Sequence, residues 1–109
     1  MEIKKKKISG QGFRFSLLEE EEEVGRARLY VLNNDLHQEP FGFIEDVFIK
    51  EGKQGKGYGT AIVKSLVETA KEKGCYKVIC TSRFSREQVH SFYEKLNLAK
   101  YGYEFRINL

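Results

Sequence analysis

Residues 51–60 read EGKQGKGYGT, with glycine at positions 52, 55, 57 and 59 and lysine at 53 and 56. An apolar run, FGFIEDVFI, lies just before this stretch, and TAIVKSLVETA lies just after. Few folds tolerate such a sequence between a strand and a helix. Glycine takes backbone angles that a Cβ forbids, and it lets another molecule approach the main chain. A helix starting at Thr60 leaves its first amide N–H groups without internal partners. Those donors and the helix dipole attract an anion, most often phosphate. The alternative is a flexible turn carrying solvated lysines. The density of glycine directly before a helix favours the anion site.

The rest of the chain supplies the setting. Its 109 residues suit a single domain, 1–109. With 40% hydrophobic and 32% charged residues, the composition is that of an ordinary globular protein. A net charge of +3 is too small to mark a nucleic-acid binder, and no apolar stretch approaches a membrane span. Cys75 and Cys80 lack a second pair to complete a zinc site. They read as small buried hydrophobes in a reducing, cytoplasmic setting, and no metal is expected.

Periodicity predicts the elements. Residues 2–8, EIKKKKI, read as a short exposed strand whose lysines discourage edge pairing. SGQG follows as a turn, then strands over FRFSLLEE and VGRARLYVL, joined through the acidic run Glu19 to Glu23. FGFIEDVFI, the fourth strand, is apolar enough for a central position. From Thr60 to Lys73, Ile62, Val63, Leu66, Val67 and Ala70 share one helical face, and Gly74 stops the helix. YKVICT is the fifth strand. Val89, Phe92, Tyr93 and Leu96 mark a second amphipathic helix over 86–96, and AKYGYEFRINL closes as a sixth strand. The unit from 41 to 82 predicts a parallel strand pair joined by a helical crossover.

Two familiar phosphate motifs fail. A P-loop needs Ser or Thr after Lys56, where Gly57 stands, and glycine at position 50, where Lys50 stands. The dinucleotide pattern needs glycine at Thr60 or Ile62. A third pattern fits. Gln54-Gly55-Lys56-Gly57-Tyr58-Gly59 resembles Q/R-x-x-G-x-G/A, the acetyl-coenzyme A pyrophosphate loop of the GNAT superfamily of N-acetyltransferases. REQVHSFYEKLNL, from Arg86 to Leu98, resembles that superfamily's second signature. Together, IEDV, QGKGYG and GCYKV look most like the small glucosamine-phosphate N-acetyltransferases.

The resemblance implies a mixed α+β (α/β) fold: a central, mostly antiparallel sheet with a splayed parallel pair and two main helices. It also implies acetyl-CoA as cofactor. The backbone of Gln54, Gly55, Lys56, Gly57, Tyr58, Gly59 and Thr60 would grip its pyrophosphate, and Val47, Phe48 and Ile49 would pair with its pantetheine arm. Lys56 would add a side-chain contact to a phosphate. An amide of that strand would serve the oxyanion. Tyr93 stands at the signature tyrosine and is the implied general acid, with core packing as its alternative role. Glu45 is favoured over Asp46 as the base that frees the acceptor amine. Alternation places those two on opposite faces unless a bulge intervenes. His90 has a suitable unperturbed pKa but sits one helical step from Tyr93. Lys95 either reaches the adenosine phosphate or stays solvated, and His37 reads as surface.

The sequence departs from the superfamily pattern in three places. Arg86 replaces an asparagine, and Asn97 replaces the glycine that usually ends the second helix. The two helices usually found between the first strands are missing, and only Ser9 to Gly12 fill the gap. The expected function is acetyl transfer to a small-molecule or peptide amine. The alternative is a non-catalytic acetyl-CoA-binding module or a partner-dependent subunit. A homodimer would cover the surface those helices leave open.

Overall fold

The computed structural model describes residues 1–109. Two long strands, β1 (Gly10–Glu19) and β2 (Glu22–Leu32), form an antiparallel hairpin. Glu20 and Glu21 make its two-residue turn, both at positive φ, 50° and 67°. That geometry matches the right-handed twist of the flanking strands. β2 pairs antiparallel with β3 (Phe41–Ile49), and β3 pairs parallel with the short β4 (Val78–Cys80), giving the order β1-β2-β3-β4. Helix α1 (Tyr58–Glu72) makes the β3-to-β4 crossover, and α2 (Glu87–Lys95) follows β4. The α+β class, the mixed sheet, the interior place of β3 and the parallel pair agree with the sequence reading. No helix is long and apolar enough to cross a membrane.

Alternation along β2 turns Ala27, Leu29 and Val31 to one face of the sheet, where Ile44 of β3 joins them. Ile62, Val63, Leu66 and Ala70 of α1 pack on that face, and Leu29 and Leu66 are wholly buried. Burying a leucine contributes roughly 1.5–3 kcal/mol. This cluster fixes the start of α1 relative to β3, and so positions the glycine loop between them.

Several boundaries differ from those expected. Residues 2–8 form no strand and are exposed. Their lysine run leaves no apolar face to bury. The expected turn at 9–12 is instead largely the start of β1, with Gly10, Gln11 and Gly12 paired to Leu32, Val31 and Tyr30. Gly12 serves there because the Tyr30 ring lies across it, 3.2 Å from where a Cβ would stand. The supposed four-residue gap is therefore part of a ladder, and no helix precedes β2. The fifth strand shrinks to Val78–Cys80, and residues 99–109 form no strand. A strand needs an edge to pair with, and no backbone hydrogen bond reaches those last residues. Helix α1 starts two residues before Thr60 because Gly57 takes the N-cap position.

Candidate active site

β3 is regular as far as Ile44 and then changes. Arg28 pairs with Glu45 and Arg26 with Phe48, so Ala27 faces two residues, Asp46 and Val47. This is a β-bulge, and Asp46 takes φ 53° in it. A bulge bends its strand and breaks alternation. On the other side, pairing with β4 ends at Ile44 opposite Cys80. From Glu45 to Ile49, β3 therefore offers a free backbone edge.

That edge forms one wall of a cleft of about 1150 Å³. The glycine loop and the start of α1 form its end. The segment after β4 and the face of α2 with Phe92 and Tyr93 form the opposite wall. Glu45, Val47, Phe48, Ile49 and Tyr93 all border this space, as do Gln54, Gly55, Gly57, Tyr58, Gly59 and Thr60. Lys56 is exposed and does not border it, whereas Lys53 does.

The loop leaves open backbone beside an uncapped helix start. Gly55 and Gly57 lie at φ 78° and 83°, and a Cβ on either would meet nothing within 4 Å. They are needed for their backbone angles, and the space beside them is open. Gly57 caps α1 without a side-chain hydrogen bond, and no acidic residue occupies the first turn. The first helical bond runs from the Ala61 amide to the Gly57 carbonyl, so the amides of Tyr58, Gly59 and Thr60 have no backbone acceptor. Gln54 turns back to donate from Nε2 to the Ile49 carbonyl at 3.3 Å, which closes the loop entrance. The Phe92 ring lies beside Gly59, in ordinary contact distance of where a Cβ would stand, 3.4 Å away.

An anchor that periodicity did not indicate holds the loop. Glu19, at the end of β1, accepts hydrogen bonds from Lys53 Nζ at 2.5 Å and from the Tyr58 hydroxyl. The Lys53 bond, and then the Tyr58 bond, hold the Glu19 carboxyl below the usual range. The same carboxylate raises the Tyr58 pKa. Glu22 and Glu23 of the same acidic run pair with Lys50 and Arg14.

At the opposite wall, Tyr93 is half-buried with the Cys80 thiol beside it. Burial foremost, and then that thiol, push the Tyr93 pKa up to about 12. Its phenol therefore stays protonated across the neutral range. Asp46 is committed elsewhere. It accepts from Arg26 Nε at 2.7 Å and also pairs with Arg28, and the Arg26 bond above all lowers its pKa. Glu45 has no ion pair and borders the cleft. His90 Nε2 lies 2.8 Å from the Arg83 carbonyl, which ties α2 to the preceding loop, and His90 does not border the cleft. Lys95 is exposed outside the cleft, and His37 stacks on Tyr76 with ring centroids 3.9 Å apart.

Known proteins share this fold. The Acetyltransferase (GNAT) family matches residues 3–98. Glucosamine 6-phosphate N-acetyltransferase of Trypanosoma brucei brucei is 40% identical over 68 residues, which cover 62% of this chain and 44% of that protein. Probable glucosamine 6-phosphate N-acetyltransferase 2 of Oryza sativa subsp. japonica is 38% identical over 68 residues, 61% of this chain and 38% of that one. The chain spans less than half the length of these two curated relatives. A crystallised Trypanosoma brucei acetyltransferase superposes with TM-score 0.74 at 35% identity, over 80% of this chain and 60% of that one. Glucosamine-6-phosphate N-acetyltransferase from Arabidopsis thaliana gives TM-score 0.82 at 24% identity, over 89% and 66%, a likeness of fold. With the match running along most of its length and the fold held in common, the chain belongs to the GNAT acetyltransferase family.

Proposed function

We propose that residues 1–109 act as one N-acetyltransferase domain that moves an acetyl group from acetyl-CoA to a primary amine, with Tyr93 as general acid. One observation carries this reading: a phenol kept protonated faces the free edge of β3 across a cleft that ends in uncapped helix amides. Acetyl-CoA fits three features of that cleft: the open backbone at Gly55 and Gly57, the uncapped α1 terminus, and the unpaired strand edge. When bound, it supplies a thioester-activated acetyl group.

Each residue then has a task. The amides of Tyr58, Gly59 and Thr60 receive the diphosphate, aided by the helix dipole. The backbone of Val47, Phe48 and Ile49 takes up the pantetheine amides as a peptide strand would be taken up. Glu45 accepts a proton from the incoming ammonium, directly or through water, so that its lone pair is free to attack. Asp46 suits that task less, because Arg26 and Arg28 stabilise its ionised form. Tyr93 gives its hydroxyl proton to the leaving sulfur. A general acid contributes about 10²–10⁴-fold when placed to act in the transition state.

Glucosamine 6-phosphate is the first acceptor to test, because it is named in the relatives. The free, half-buried thiols of Cys75 and Cys80 suit a reducing cytoplasm, and a homodimer is part of the same reading. The test is a panel of amines incubated with acetyl-CoA: glucosamine 6-phosphate, polyamines, amino acids and lysine peptides, followed by free thiol release. Release above background with one amine class is expected. Binding of acetyl-CoA with no release from any acceptor would instead favour a binding module or a partner-dependent subunit.

A further inference from the structure

Asp46 is the one non-glycine residue of positive φ that lies inside a strand; Glu20, Glu21, Asp35 and Asn97 lie outside the helices and strands. An L residue keeps such a backbone only where its surroundings hold it there. Here the hold comes from β2. Ala27 belongs to the core on the α1 side, so Arg26 and Arg28 lie on the other face of the sheet. Arg26 Nε donates to Asp46 Oδ2 at 2.7 Å, and its Nη2 reaches Oδ1 at 3.5 Å. Arg28 Nη1 donates to the same Oδ2. Arg28 is paired in register with Glu45, before the bulge, and Arg26 with Phe48, after it. The Arg26 guanidinium also lies 4.4 Å from the centroid of the Phe48 ring. Two arginines of one strand thus grip one carboxylate from both sides of the bulge.

The bulge decides the register of everything beyond it. Regular pairing from Arg28 and Glu45 would set Arg26 opposite Val47 and turn Phe48 toward α1. A slip of one residue exchanges the two faces of a strand. It also exchanges the amides that point to β2 with those that point to the free edge, because successive residues alternate between the two neighbours. In the observed register Val47 packs on the core under α1, and Glu45 shares the face of Arg28. The edge from Glu45 to Ile49 then offers one fixed set of donors and acceptors to the cleft.

We propose that Arg26 and Arg28 are positioning residues for acetyl transfer: by gripping Asp46 they fix the register in which the β3 edge meets acetyl-CoA, and with it the direction of Glu45. Neither arginine borders the cleft, so both act through Asp46. The inference rests on the proposed function, because it needs acetyl-CoA to lie along β3. The same face supplies a control. Arg14 of β1 stands opposite Arg28, but its guanidinium is bound to Glu23 and Ser16 and does not pair with Asp46.

The experiment compares the wild type with Arg26→Gln/Arg28→Gln, with Asp46→Asn and with Arg14→Gln. Amide hydrogen exchange is followed with and without saturating acetyl-CoA, and turnover is measured with acetyl-CoA and glucosamine 6-phosphate. In the wild type, acetyl-CoA should slow exchange at residues 57–60 and along 45–49. In the double arginine variant and in Asp46→Asn, protection at 57–60 should remain, and protection along 45–49 should be lost or move by one residue. In both, kcat should fall about 10–100-fold, the scale of a misplaced reacting group, while KM for acetyl-CoA stays within about threefold. Arg14→Gln should match the wild type. Asparagine also tolerates positive φ, so Asp46→Asn reports the lost charge even if the double variant does not fold. If glucosamine 6-phosphate is not acetylated, the exchange pattern decides. Wild-type protection along 45–49 in the double variant and in Asp46→Asn would overturn the proposal, and so would an equal loss in Arg14→Gln. A wild type without protection at 57–60 would instead overturn the proposed function and take this inference with it.

Discussion

Tyr93 is the proposed general acid. Its phenol lies where the charged form is poorly solvated, and the neighbouring Cys80 thiol adds to the effect. Tyr93→Phe keeps the ring and its packing against Phe92, 5.3 Å away between centroids. Turnover should fall by roughly 10²–10⁴-fold. The loss should appear in kcat more than in KM, because the missing proton acts in the transition state. The pH dependence has a definite sign. Folding raises this pKa from 10.0 to about 12, so folding favours the protonated form. The stabilisation is complete below about pH 10 and is lost as pH rises toward 12. Urea midpoints for wild type should therefore drop across that window more than those of Tyr93→Phe. Equal turnover in the two proteins would reduce Tyr93 to a packing residue. Its candidacy was legible because it stands in FYEK and on an apolar helical face. Its proximity to Cys80 was not legible, because only the tertiary fold brings the end of β4 against α2.

At the scale of elements, the decisive feature is a loop held from a distance. Glu19 on β1 grips Lys53 and Tyr58, residues more than thirty positions away in the chain. Glu19→Gln keeps an acceptor for Tyr58 but loses the charge that orders Lys53. We expect acetyl-CoA to bind about two- to fivefold more weakly by calorimetry, the scale of one partly exposed ion pair. Amide exchange at Gly55 to Gly57 should also quicken. Unchanged affinity with unchanged exchange would show that the loop holds its shape unaided. The two helices were legible because a 3.6-residue period is written locally, and so were the loop glycines. The Glu19 anchor was not, because an acidic run at a hairpin tip reads as solvated whatever folds against it. Strand pairing misled in both directions. Gly10–Gly12 looked like a turn but pairs because Tyr30 fills the space above Gly12. Residues 2–8 and 99–109 carry strand-like patterns but pair with neither free edge of the sheet. The bulge at Asp46 also escaped the sequence, since it arises from register against β2.

For the whole molecule, the sheet and helices converge on one construction. The α1 core pins the glycine loop beside β3, pairing of β3 with β4 ends at Ile44, and Tyr93 of α2 borders the opening beyond. The central claim is that this opening, closed at one end by the α1 terminus, binds acetyl-CoA. The most direct measurement is a calorimetric titration of acetyl-CoA into the wild type and into Gly57→Glu. The variant sets a bulky anion beside the uncapped amides, at a backbone angle that L residues rarely adopt. The wild type should give a saturable one-site isotherm. Gly57→Glu should give no binding heat while circular dichroism shows it folded. Absence of binding to the wild type, or an isotherm for Gly57→Glu matching the wild type, would contradict the account.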